Sequence, residues 1–353
     1  MTSLALPWLV LLFVGGGAAI WVAGGFLSHT VDVLDERLHL GAALGGTILL
    51  AVATNLPEIA ITASAALSHH IGIAIGNILG GIALQTVVLV VLDAFGAPSV
   101  RPLTYLAASL TLVLEAALVI AVLVVAVMGT QLPAHLYYAR ITPASVLIVV
   151  LWVAGMWLLA RARSGLPWHD SGQAPDNQAV PRGHAQRQKE QQATTRGVST
   201  AKAAAIFGSA AVVTLVAGVV LEQSGEGIAG HIHLTGVLFG ATVLAAATAL
   251  PEVSTGLTST RMGDYQLAMS DIFGGNAFLP VLFIVADLLG GRAVLPQAQR
   301  SDIYLTGLGA LLTSVYAVGL IFRPQRTRAR MGVDSLTVIV LYLVGIAGLI
   351  ALA

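Results

Sequence analysis

The 353-residue chain has no cysteine, few charges and no excess of either sign, and each shortage removes a class of function. Without thiols there can be no disulfide framework, no cysteine nucleophile and no thiolate-held zinc or iron–sulfur centre. Only 10% of the residues are charged, where soluble domains carry roughly 25%. So few charges cannot cover a water-facing surface of this size, and a soluble enzyme is excluded. The 17 basic residues balance the 17 acidic ones, which leaves no field to steer a nucleic acid. What the chain does have is apolar. Hydrophobic residues make up 57% of it and glycines number 38, an excess suited to close-packed transmembrane helices. With a mean hydropathy of +0.88, the chain reads as an all-α polytopic protein whose solvent is the lipid bilayer.

A span takes roughly 20 mainly apolar residues. Ten stretches qualify: 7–27, 40–67, 70–93, 103–128, 141–160, 202–221, 234–260, 264–288, 301–322 and 334–352. The first is read as a span and not a signal peptide, because no Lys or Arg precedes Arg37. Assigning alternate loops to opposite sides puts 14 of the 17 basic residues on one side and 3 on the other. The basic side is cytoplasmic, so both termini are expected outside the cell membrane and the loop 161–201 inside it. That loop holds sequence such as Gln186-Arg187-Gln188-Lys189-Glu190. It cannot bury a core and is expected to be a disordered linker between units 1–160 and 202–353.

The two units repeat each other. A shift of 194 residues lays Thr54-Asn55-Leu56-Pro57-Glu58 on Thr248-Ala249-Leu250-Pro251-Glu252. Without a gap, Gly46 falls on Gly240, Gly80-Gly81 on Gly274-Gly275, and Asp93 on Asp287, with 16 identities in 48 positions. Chance apolar matches would scatter Leu, Val and Ala; they would not keep Pro-Glu inside a hydrophobic run. Each copy has five spans, and an odd number forces the copies into opposite orientations. The expected fold is therefore ten transmembrane helices as two inverted five-helix repeats. That architecture belongs to secondary transporters, which bind substrate near the midplane between the repeats.

Pro57 and Pro251 lie within long apolar spans, where each lacks an N–H for the carbonyl four residues back, Ala53 or Ala247. Freed carbonyls in a membrane need a partner, either a neighbouring helix or an ion. On a helix, Ala51, Thr54, Asn55, Glu58 and Thr62 share one face, and Ala245, Thr248, Ala249, Glu252 and Thr255 share the matching one. Carboxylates, hydroxyls and loosened carbonyls form the all-oxygen set that hard cations take. Asn77 and its counterpart Asp271 sit inside the next spans, and the four acidic and amide groups are expected to converge. A buried ionisable group costs roughly 2.5–3.5 kcal/mol on insertion scales, so two symmetric Pro-Glu pairs plus Asp271 mark a functional site. The glycine ladders are read as packing.

These residues resemble the calcium/cation antiporter superfamily, the Na⁺/Ca²⁺ exchanger-like membrane proteins. The resemblance rests on Ala53-Thr54-Asn55-Leu56-Pro57-Glu58, Ala247-Thr248-Ala249-Leu250-Pro251-Glu252, Gly76-Asn77-Ile78-Leu79-Gly80-Gly81 and Ser270-Asp271-Ile272-Phe273-Gly274-Gly275-Asn276. It implies that Glu58 and Glu252 ligate a divalent ion, assisted by carbonyls near Thr54 and Thr248 and completed by Asn77 and Asp271. It also implies flanking Na⁺ sites built from Ser hydroxyls and from carbonyls matching Ala51 and Ala245. Here the chain departs, since Asn55 and Ala249 replace the two serines. The central site is kept while the flanking ones are impaired. Ca²⁺ is the expected cargo, Na⁺ and H⁺ both stay open as counter-ion, and no resident cofactor is expected. Three carboxylates around an empty site cannot be occluded in lipid, and their mutual repulsion favours a proton on Asp271.

Other polar residues are weaker signals. Glu115 lies mid-span opposite Gly309 and reads equally as a proton relay or as a protonated side chain bonded to a neighbouring helix. His69-His70 joins two spans on the expected outer side, as a pH-sensitive or metal-recruiting pair or as plain loop. Asp93 and Asp287 read as interfacial structure, and Gln85-Thr86 as pathway lining or a helix bridge. Rival functions are an exchanger of Mn²⁺ or Mg²⁺, a passive channel, and an intramembrane hydrolase. No H-E-x-x-H or G-x-S-x-G motif supports the last.

Overall fold

The computed structural model describes residues 4–38, 52, 54–97, 100–163, 199–234, 236–261 and 263–352. Most of the expected linker, and residues 40–51 of the second expected span, lie outside the described residues. Eight helices are long and apolar enough to cross a membrane. They are α1 (Leu6–Leu38), α3 (Ile71–Phe95), α4 (Leu110–Thr130), α5 (Pro143–Arg163), α6 (Thr200–His231), α8 (Tyr265–Gly290), α9 (Arg300–Phe322) and α10 (Val333–Leu352). Two shorter helices, α2 (Leu56–Leu67) and α7 (Leu250–Arg261), carry the Pro-Glu pairs.

Helix ends differ from the apolar stretches in several places, among them α1, which continues past the expected end at 27 to Leu38. The stretch 103–128 is not one helix, because Ser109 takes extended backbone and its hydroxyl accepts from Leu112 N at 3.2 Å, capping a fresh start after a short Leu103–Ala107 turn. Conversely α6 continues past the expected end at 221 to His231. The drop in hydropathy there comes with helix-forming Leu221, Glu222 and Gln223, so it does not end the helix.

The centre of the bundle is made by α3 and α8, whose apolar windows are 78% and 67% buried, against 28% for α1 and α6. One large core cluster joins residues of α3, α4, α5, α8, α9 and α10. By contrast, α1 and α6 pack as a pair on the flank, sharing small separate clusters with α2 and the segment before α7. Glycines set how closely this pair sits. A Cβ on Gly218 of α6 would lie 2.6 Å from Ala60 Cβ and 3.1 Å from Pro57 O. Its repeat counterpart, Gly24 of α1, faces Pro251, whose Cβ would be 3.3 Å away. Each flank helix thus seats a glycine on the Pro-Glu segment of the other repeat.

The repeats are also stapled crosswise by their shared aspartates. Asp93, at the end of α3, accepts from Leu103 N (2.7 Å) and from Gly332 N and Ser335 Oγ at the start of α10 (both 2.7 Å). Asp287, near the end of α8, accepts from Val294 N (2.8 Å) and from Thr142 Oγ1 at the start of α5 (2.9 Å). The loops it grips are alike too. Ala139-Arg140 and Ala329-Arg330 all have positive φ, in tight turns closed by Tyr138–Ile141 and Arg328–Met331 pairs. Asp93 and Asp287 are therefore structural, as their interfacial positions suggested.

Candidate functional site

Both Pro-Glu segments are kinked at the same repeat position. Asn55 (φ −94°, ψ 14°) and Ala249 (φ −78°, ψ −4°) leave helical ψ just before α2 and α7. The next prolines, Pro57 and Pro251, fall in the first turn of the new helix, where a missing N–H costs nothing. Glu58 and Glu252 follow in that same turn, at the positive end of a helix dipole that favours an anion. The continuous polar face expected through Asn55 is thus interrupted, because a helix cannot pass straight through ψ near zero. Immediately before this kink, the second copy has a π-helical turn, Gly240–Leu244. It presses on α3, where a Cβ on Gly80 would lie 2.2 Å from Ala241 Cα and one on Gly240 3.1 Å from Asn77 N.

The two carboxylates are buried, Glu58 at 1% and Glu252 at 5% exposure. Glu252 lies within electrostatic reach of both Glu58 and Asp271. The Thr248 side chain is a neighbour of Glu58, though the hydroxyl bonds Ala245 O at 3.2 Å, and neither Glu58 oxygen meets hydrogen-bond geometry with another group among the described residues. Asp271 is half-buried and accepts from Thr255 Oγ1 at 3.1 Å. Asn77 is fully buried, with neither amide atom partnered among the described residues, and Asn55 is buried with its amide 3.4 Å from Thr54 Oγ1. Ala245 is buried, and its carbonyl already takes Ala249 N at 2.9 Å as well as Thr248. Its counterpart Ala51 lies outside the described residues. Glu58, Thr248, Glu252 and Asp271 are therefore brought together, and Asn77 lies against the segment that leads to Thr248.

A narrow cavity meets this group from one side. It is lined by Ile20, Gly24 and Leu27 of α1, Thr214 of α6, and Thr54, Pro57, Pro251, Glu252 and Thr255. Two pairings of polar residues around the site were not legible in the sequence. Ser270 Oγ donates to Glu115 Oε1 at 2.9 Å, so this mid-span carboxylate is bonded to a neighbouring helix beside Asp271. Thr86 bridges helices, accepting from Asn276 Nδ2 at 3.1 Å while donating to Ile82 O at 2.8 Å. Ser270 and Asn276 stand in the motif around Asp271, but nothing in the spacing of the sequence pairs them with Glu115 and Thr86. Glu222, outside the expected sixth span, is wholly buried.

The sodium/calcium exchanger protein family matches this chain over residues 8–161 and 202–351. CaxA of Alkalimonas amylolytica is 25% identical over 322 residues, which are 90% of this chain and 92% of CaxA. The fold is similar to that of the H⁺/Ca²⁺ exchanger CAX, with a TM-score of 0.61 and 15% identity over 97% of this chain and 88% of that one. It is equally similar to the sodium–calcium exchanger NCX_Mj, with a TM-score of 0.60 and 14% identity over 97% and 99%. Since the family match takes in both repeats and stops only at the linker, the chain belongs to the sodium/calcium exchanger protein family, within the calcium/cation antiporter superfamily.

Proposed function

We propose that the protein is a secondary-active antiporter of the cell membrane that exchanges Ca²⁺ for Na⁺ or H⁺ by alternating access, with H⁺ the counter-ion its residues favour. The observation that carries this reading is the pair of buried glutamates on kinked half-helices, with Asp271 in reach of one of them. In this reading the molecule is ten spans in two inverted repeats, 1–160 and 202–353, joined by the linker 161–201. The crosswise contacts of Gly24 with Pro251, Gly218 with Pro57, and the two aspartate staples support it. The loop charges put both termini outside.

Ca²⁺ takes six to eight oxygens at about 2.3–2.6 Å. Glu58 and Glu252 would supply the charged ones, with Thr54, Thr248, Asn77 and Asp271 completing the set. The glutamates need no rearrangement to face the ion, since each starts a helix whose dipole already holds it. When the ion leaves, several uncompensated carboxylates cannot be carried across a low-dielectric barrier, so another cation must load first. That obligation makes the protein an antiporter and not a channel.

Protons need only the carboxylates. A Na⁺ at the flanks needs more oxygens, and there Asn55 and Ala249 offer no hydroxyl while the Ala245 carbonyl already holds two hydrogen bonds. The Glu115–Ser270 pair beside Asp271 offers a further carboxylate for proton traffic.

The test is uptake of radioactive Ca²⁺ into sealed vesicles driven separately by outward H⁺ and outward Na⁺ gradients. The expected result is uptake with H⁺, little with Na⁺, and none in Glu58→Gln or Glu252→Gln. Na⁺-driven uptake alone would overturn the counter-ion assignment. Absence of Ca²⁺ flux under both gradients would overturn the cargo and move the search to Mn²⁺ and Mg²⁺.

A further inference from the structure

Glu222 plays no part in the cation site, yet it is the most completely buried carboxylate among the described residues, at 0% exposure. Its Oε2 accepts from Ser64 Oγ of α2 at 2.8 Å, and its Oε1 lies 2.7 Å from His70 Nδ1, in the turn between α2 and α3. One turn further along α6, Glu226 Oε1 lies 4.0 Å from His70 Nε2. The imidazole is 33% exposed, so it joins a sealed carboxylate to water. A charge buried this deeply is stable only while its partners stay in place. Glu222 therefore ties α6 to α2 and to the start of α3.

The sequence does not repeat the three residues of the tie. The repeat counterparts of Glu222, Ser64 and His70 are Ser28, Thr258 and Asp264. Thr258 is exposed and donates to Ser254 O in its own helix at 2.9 Å, and Asp264 caps α8 through Leu267 N. Packing is unequal in the same sense. Gly218, one turn before Glu222 on the same face of α6, is pressed against Ala60 and Pro57, whereas Gly24 sits less tightly on Pro251, beside the cavity that Thr54, Pro57, Glu252 and Thr255 line. With the orientation set by the loop charges, Ser64 and Glu222 lie outward of Glu58, and Thr255 lies inward of Glu252. The tie thus lies towards one end, and the narrow cavity lined by Thr54, Pro57, Pro251, Glu252 and Thr255 lies towards the other.

Resting on the antiporter reading, we propose that Ser64, His70 and Glu222 form an outer latch: they hold α6 against α2 while the cation path is open inward, and they separate when it opens outward. A protonated His70 strengthens the latch by pairing with two carboxylates, so an acidic exterior holds the outer side shut. Among the described residues, the charged and titratable groups facing His70 are Glu222 and Glu226 of α6, its neighbour His69, and Arg292 of the loop after α8, which bonds His69 at 3.0 Å.

The absence of cysteine gives a clean test. Ala65 is fully buried in the cluster that α2 shares with Leu221 of α6, so Ala65→Cys places a single thiol just under the latch. Labelling of intact cells with a membrane-impermeant maleimide is measured at several external pH values. Each rate is divided by that of Leu67→Cys, an exposed control at the end of α2. The normalised rate is expected to rise about tenfold in Glu222→Gln, the size of effect that losing a buried pair readily reaches. It should also rise with pH, and His70→Gln should abolish that rise. Ser64→Ala, which removes one hydroxyl, serves if Glu222→Gln does not accumulate. A rate unmoved by Glu222→Gln and Ser64→Ala, or a pH dependence that survives His70→Gln, would overturn the latch. Labelling requires no transport, so loss of Ca²⁺ exchange with intact latch behaviour would overturn the antiporter reading alone.

Discussion

The surroundings of Glu58 and Glu252 differ although the motif around them is the same. Glu58 begins a helix pressed under Gly218 of α6, with a second buried polar tie one to two turns further on. Glu252 begins a helix that Gly24 of α1 touches more loosely, next to a cavity and within reach of Asp271. Two copies of one motif could in principle share the site equally. Here the packing around the copies differs: α6 lies tightly on the first, while α1 lies less tightly on the second, which is within electrostatic reach of Asp271. A symmetric scaffold holds an asymmetric state, and the asymmetry sits in the flank helices and not in the glutamates.

The largest expected effect tests whether the glutamates are indeed equivalent. Glu58→Gln and Glu252→Gln should each lower Ca²⁺ flux at least about a hundredfold, as loss of a charged ligand from a low-dielectric site does. If Glu252→Gln alone abolished flux, the sealed copy would be structural and the shared site would be wrong. Next comes the seal itself. A Cβ on Gly218 would stand 2.6 Å from Ala60 Cβ, a distance side-chain carbons do not adopt, while one on Gly24 would stand 3.3 Å from Pro251 Cβ. Gly218→Ala should force α6 off α2 and reduce exchange about tenfold, with Gly24→Ala retaining most of it. Flux assays on both variants decide this, and equal losses would remove the asymmetry.

A third comparison concerns the staples. Asp93 accepts three hydrogen bonds, one from Leu103 and two from the start of α10, while Asp287 accepts at least two, from Val294 and Thr142. Each bond to a charged group contributes on the order of 1.5–3 kcal/mol when buried. Asp93→Asn and Asp287→Asn should therefore each lower the thermal midpoint of the detergent-purified protein, and by similar amounts. Flux per folded molecule should change little in either, because neither aspartate touches the cation site.

Much of this was legible because membranes make sequence simple. Apolar runs locate spans, and Pro-Glu inside lipid has few uses beyond an ion site. The helix ends were less legible. Glu222 fell outside the expected sixth span because its charge looked like the edge of the membrane, when α6 in fact carries it inside and pairs it with Ser64 and His70. The break at Ser109 was hidden in an unbroken apolar run, since a single hydroxyl decides it. Contacts between distant residues, such as Ser270 with Glu115 or Thr86 with Asn276, depend on how helices rotate about their axes, and apolar patterns on all sides leave that rotation undefined.

The smallest expected effect is a gain, and it bears on why the two copies differ from their relatives in the same way. Asn55 and Ala249 stand at the kinks, where the resemblance to the superfamily places hydroxyls that help hold Na⁺. Neither position is closed to a serine by space. Asn55 is the larger side chain already, and Ala249 to Ser adds one oxygen at a buried position beside Thr248. The carbonyls remain a harder obstacle, because Ala245 O is held by both Ala249 N and Thr248 Oγ1. A serine at 249 would supply a second local hydroxyl but would not free that oxygen. Ala249→Ser alone should therefore give little Na⁺-driven Ca²⁺ uptake, and Asn55→Ser with Ala249→Ser a rise of about two- to fivefold, since one added hydroxyl ligand contributes about as much as one net hydrogen bond. Uptake under Na⁺ and H⁺ gradients measures it. A double variant whose Na⁺-driven uptake matched its H⁺-driven uptake would show that the missing hydroxyls alone set the counter-ion. No gain would place the choice in the carbonyls and in the carboxylates on the Glu252 side.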